Sequence, residues 1–78
     1  MLKFKMIEKN DDIVTYRYWP EQDAEYGEVT AKTKDGELVS MRLALEDEFK
    51  TYAFHMLSRI RKFAKDKSFD EDGMIAWY

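Results

Sequence analysis

The hydrophobic pattern of this chain changes period once, near residue 46. Before that point apolar and polar residues alternate, the two-residue period of strands buried on one face. After it, apolar residues recur at three- and four-residue spacing, the period of a helix. Leu2, Phe4 and Met6 alternate with Lys3 and Lys5, which predicts a first half-buried strand. Lys9-Asn10-Asp11-Asp12 follows with turn residues, whose short polar side chains bond nearby backbone. Ile13 to Trp19 is almost wholly β-branched or aromatic, and it stops at Pro20, which has no N–H to continue a ladder. These two segments read as a hairpin.

Glu21-Gln22-Asp23-Ala24 is a polar connection. Val29 and Ala31 then alternate with Glu28, Thr30 and Lys32 in a third strand, and Asp35-Gly36 supplies the positive φ that a tight hairpin needs. From Leu38 to Leu45 the alternation places Val39, Met41, Leu43 and Leu45 on one face, with Ser40 and Arg42 on the other. Phe49, Tyr52, Ala53, Met56, Ile60, Phe63 and Ala64 next form one apolar stripe of a helix from about Asp47 to about Lys67. Glu46, Asp47 and Glu48 at its start, and Arg59, Arg61, Lys62, Lys65 and Lys67 towards its end, both suit the helix dipole. Asp70-Glu71-Asp72-Gly73 breaks the helix, and the apolar Met74-Ile75-Ala76-Trp77-Tyr78 adds an edge strand or packs against the helix.

The pattern therefore predicts an α+β fold: an antiparallel sheet of four to five strands and one long amphipathic helix, in the order β-β-β-β-α-β. A small, partly closed barrel with an appended helix is the alternative. The 78 residues allow one core, so residues 1–78 read as a single domain. No stretch approaches the roughly 20 apolar residues of a membrane span, and the N-terminal segment lacks the apolar block of a signal peptide. With no cysteine there can be no disulfide, thiolate zinc site or Cys nucleophile, which suits a reducing cytoplasm.

Candidate chemistry is sparse. His55 is the one histidine; it projects away from the apolar stripe with Arg59 one turn on, and it reads as a solvated helix residue rather than a general base or metal ligand. Ser40, Ser58 and Ser68 have no nucleophile elbow beside them. From Asp66 to Gly73 oxygen side chains recur as in a calcium loop. Counted from Asp66, however, the sixth and twelfth positions are Glu71 and Trp77, where an EF-hand needs Gly and a bidentate acid. The carboxylates of Glu46, Asp47 and Glu48 are accounted for by the helix dipole, and the three glycines are too far apart for a phosphate loop. We therefore expect no enzyme, metal or cofactor.

Two surfaces remain. From Lys50 to Lys65 the helix carries no acid, and Lys50, Arg59, Arg61, Lys62 and Lys65 point away from the stripe with Phe54 among them. In a chain of net charge −3 those five cations leave −8 on the remainder, a polarised molecule suited to self-association or an acidic partner. These residues, with Trp77 of the tail, are the candidate partner-binding set. The second surface is Tyr16-Arg17-Tyr18-Trp19, where rings interleave with a base as on sheets that stack single-stranded nucleic acid. Alternation sends Tyr16 and Tyr18 to one face and Arg17 and Trp19 to the other, so only half of the cluster is available.

The segment Phe49-Lys50-Thr51-Tyr52-Ala53 and the ending Gly73-Met74-Ile75-Ala76-Trp77-Tyr78 resemble those of small uncharacterised bacterial proteins, over the whole chain. That resemblance implies a bacterial cytoplasmic origin and transfers no functional residue. The expected function is a non-catalytic protein-interaction or regulatory module that self-associates. The alternative is a nucleic-acid-binding module using the basic outer face of the helix.

Overall fold

The computed structural model describes residues 2–20, 25–44 and 51–76. Five antiparallel strands form one sheet: β1 (Leu2–Lys9), β2 (Ile13–Trp19), β3 (Gly27–Lys32), β4 (Leu38–Arg42) and β5 (Asp72–Ile75), in the spatial order β4-β3-β2-β1-β5. A single helix among the described residues, α1 (Thr51–Asp66), lies across one face, over β3 and β2. The α+β architecture expected from the pattern is thus present. The helix start proposed at Asp47 lies outside the described residues.

Strict alternation builds the core. Leu2 and Phe4 from β1, Val14, Tyr16 and Tyr18 from β2, Val29 and Ala31 from β3, and Ile75 from β5 all point to the helix side and are buried. Facing them are Ala53, Met56, Leu57, Ile60 and Phe63 of α1. Leu57 belongs to this set although the predicted stripe omitted it; it lies one turn after Ala53, on the side that faces the sheet. Phe4, Tyr16 and Phe63 meet with ring centroids 5.6–5.9 Å apart, and Phe69 extends the cluster to 6.1 Å from Phe63. Tilted and edge-on pairs of this kind contribute beyond the area they bury.

Two glycines are needed where rings cross the sheet. Gly27 pairs with Tyr18 across the β2–β3 ladder and Gly73 pairs with Phe4 across β1–β5. A Cβ on Gly27 would lie 2.4 Å from the Tyr18 ring, and one on Gly73 would lie 2.8 Å from that of Phe4. Each ring lies over a position where a side chain would stand, so each glycine holds a buried aromatic flat against the sheet.

Two sequence expectations are corrected. Asp70–Gly73 does not end the helix. Lys67 does, in the left-handed conformation (φ 56°), with its N–H donating to the Ala64 carbonyl at 3.3 Å and the Ser68 N–H donating to that of Phe63 at 3.1 Å. That is a Schellman cap with lysine where glycine is usual. Asp72 and Gly73 belong to β5, which pairs with β1 within the same chain. The second correction concerns β4. Thr30 pairs with Ser40 and Ala31 with Leu38, so Val39 is an unopposed bulge residue. The bulge resets the alternation, placing Leu38 and Met41 on the inward face opposite the buried Ala31 and Val29. The regular face of Val39, Met41 and Leu43 predicted from the sequence does not form. Leu45 lies outside the described residues.

Candidate functional site

Of the predicted partner-binding residues, Lys50 and Trp77 lie outside the described residues. The others lie on α1 outside the buried stripe, where three- and four-residue steps link Arg59 to Lys62, Lys62 to Lys65 and Arg61 to Lys65. Phe54 is 52% exposed. Arg61 packs over the hairpin glycine, its Nε donating to the Gly36 carbonyl at 3.4 Å, so it fixes the β3–β4 turn rather than standing free. Arg59 and His55 are half-buried. Among the described residues no three His, Cys, Asp or Glu side chains cluster as metal ligands.

The edge of the sheet at β4 carries a signal that the sequence concealed. α1 lies over β3 and β2, so the inward side of β4 extends past it. Next to the fully buried Ala31, Leu38 is 38% exposed, and the bulge residue Val39 is 50% exposed; Leu43 is exposed as well. β4 also ends the sheet, which leaves one side of its backbone without a strand neighbour among the described residues. Edge strands of most proteins are blunted by charge or covered. This one presents Leu-Val-Ser-Met, bracketed by Glu37 and Arg42 on the outward face. The predicted alternation set Val39 and Leu43 on one face and gave no sign of that exposure.

The outer face of the sheet holds a second cluster. Arg17 and Trp19 point there, as alternation predicted, while Tyr16 and Tyr18 are core. Trp19 lies 6.2 Å from Tyr26, and the guanidinium groups of Arg17 and Arg42 lie 4.3 and 5.6 Å from the Tyr26 ring centre. The ion pair of Arg17 Nε with Glu28 is 3.6 Å long, and that nitrogen is buried without a hydrogen bond. Lys3 and Lys5 continue these rows onto β1, paired with Trp19 and Arg17. Tyr26 escaped the sequence reading because it follows the polar connection. Extending the outward Glu28–Thr30 alternation back by two residues would have found it.

The Tyr16 phenol has a clearly perturbed acidity. Burial, and after it the nearby Asp70 carboxylate, holds its phenol protonated well above the ordinary tyrosine range. Its hydroxyl donates to the Asp70 carbonyl at 2.6 Å, tying the segment after the helix to the core. Its role is structural. Compared with family models, curated proteins and solved structures, the chain matches none.

Proposed function

We propose that this protein is a small, non-catalytic interaction module that associates with a second copy of itself through the β4 edge. The observation that carries this reading is the end of the sheet at β4, where exposed Leu38 and Val39 stand beside backbone with no strand neighbour among the described residues. Strand addition supplies main-chain hydrogen bonds and covers such side chains together. Its opposite charges, Glu37 at one end and Arg42 at the other, favour an antiparallel copy of the same strand. The cysteine-free composition supports a cytoplasmic setting. No described helix is long and apolar enough to cross a membrane. Light scattering across a concentration series tests the reading: dimer mass emerging with concentration supports it, and a strict monomer at millimolar protein overturns it.

Single-stranded nucleic acid is a second reading, favoured by the Trp19–Tyr26 pair with two guanidiniums on one sheet face. It rests on the sheet cluster rather than on the basic outer face of the helix. Stacking and phosphate contacts there predict quenching of tryptophan fluorescence by oligonucleotides at low salt, lost in Trp19→Ala and weakening steeply as salt rises. Absence of any low-salt response removes this reading.

A further inference from the structure

The bulge in β4 selects one pairing register, and we propose that two copies join with the dyad between Val39 and Ser40, so that Leu38 meets the partner's Met41 and Glu37 meets the partner's Arg42. This inference rests on the self-association reading above and adds its geometry.

A two-fold axis that joins two sheet edges makes the paired strands antiparallel, and each contact then occurs twice. In an antiparallel pair, directly opposed residues must share a sheet face. On β4 the faces are set by the β3 partners. Leu38 and Met41 are inward, opposite Ala31 and Val29. Ser40 and Arg42 are outward, opposite Thr30 and Glu28. Glu37 is outward too: its carbonyl accepts the Lys32 N–H at 2.8 Å and its carboxylate pairs with Lys32 Nζ at 3.3 Å. Val39 is the extra residue between the two faces.

A dyad on Ser40 would oppose inward Leu38 to outward Arg42, and a dyad on Val39 would oppose Leu38 to outward Ser40. Moving it to the bond between Ser40 and Met41 would oppose those two residues across the faces. A dyad on Met41 is consistent in its faces, but it brings the two Arg42 side chains to diagonal positions with no acid between them, and like charges so placed repel. With the dyad between Val39 and Ser40 every constraint holds at once. Inward meets inward at Leu38 and Met41, outward acid meets outward base at Glu37 and Arg42, and the two-residue stretch containing the bulge faces its own copy.

The bulge thereby acquires a purpose. A regular strand passes Val39 only by leaving it unopposed, as β3 does. A second β4 has the same irregularity at the same place, so every residue from Glu37 to Arg42 is opposed, and the result is one continuous sheet across both copies.

Charge reversal tests the register. Glu37→Arg and Arg42→Glu each place like charges across both dyad-related contacts, and each variant alone should dimerise roughly tenfold or more weakly than the parent. In an equimolar mixture of the two variants both contacts are again of opposite sign, so a heterodimer should form with near-parental affinity. Misfolding of either variant cannot produce that rescue, and sedimentation of a fluorescently labelled copy reads it directly. If both single variants dimerise like the parent, or if the mixture fails to associate, the register is overturned while self-association stands. If the parent itself remains monomeric, the self-association reading falls and the register with it.

Discussion

Single residues close this fold through their bonds, and two of them make measurable predictions. Lys67 holds a left-handed backbone angle that costs a non-glycine residue about 1 kcal/mol. Lys67→Gly should therefore stabilise the protein by up to about that amount in urea unfolding, less the entropy that glycine adds to the unfolded chain. Tyr16 keeps its proton when folded and loses it near pH 10 when unfolded. Its raised folded pKa contributes stability that is intact below about pH 10 and lost as pH rises further, because the unfolded state releases the proton first. Thermal unfolding should steepen its decline above that pH, and Tyr16→Phe should flatten the decline while lowering neutral-pH stability by about 1 kcal/mol through the lost bond to the Asp70 carbonyl. The sequence showed that Tyr16 shares a face with Tyr18. It could not show the partner, because Asp70 is separated from it by the whole helix.

At the scale of elements, period and turn chemistry were enough to place the first four strands and the body of the helix. Strict alternation from Leu2 to Met6 and from Ile13 to Trp19 leaves no second face to bury, and the switch to helical spacing is equally unambiguous. What escaped was local irregularity. Bulges depend on cross-strand register, and nothing along Leu38–Leu45 marks Val39 as the extra residue. Gly73 read as a helix breaker because its partner Phe4 is far away in sequence, and the ring-over-glycine contact exists only once β5 docks on β1. Gly27→Ala tests that device in its second occurrence. Its methyl group would overlap the fully buried Tyr18 ring, whose hydroxyl accepts the Ala44 N–H at 3.1 Å, and the ring cannot move without breaking that bond. A loss of about 2 kcal/mol is expected in chemical denaturation, whereas a neutral result would show that the ring has room to shift.

For the molecule as a whole, the arrangement is asymmetric. One sheet face is sealed by α1, the outer face carries Trp19 and Tyr26 among cations, and one end of the sheet exposes an apolar strand. The surface that the sequence pattern did not reveal is the β4 edge, where Leu38 and Val39 are exposed. Charge and aromatic content were legible in the sequence; which surfaces stayed open was not, because that depends on how far the helix reaches across the sheet. Val39→Lys tests the consequence without disturbing the core. Val39 is half exposed, so the melting temperature should stay close to that of the parent, and a charge at the centre of the edge should abolish strand addition.

The most direct test is the solution mass of the parent protein and of Val39→Lys, followed by light scattering from micromolar to millimolar concentration. The β4-edge account predicts that the parent rises from monomer to dimer mass and stops there, while the variant, equally stable, stays monomeric throughout. A parent that remains monomeric, or a Val39→Lys protein that dimerises just as tightly, would contradict it.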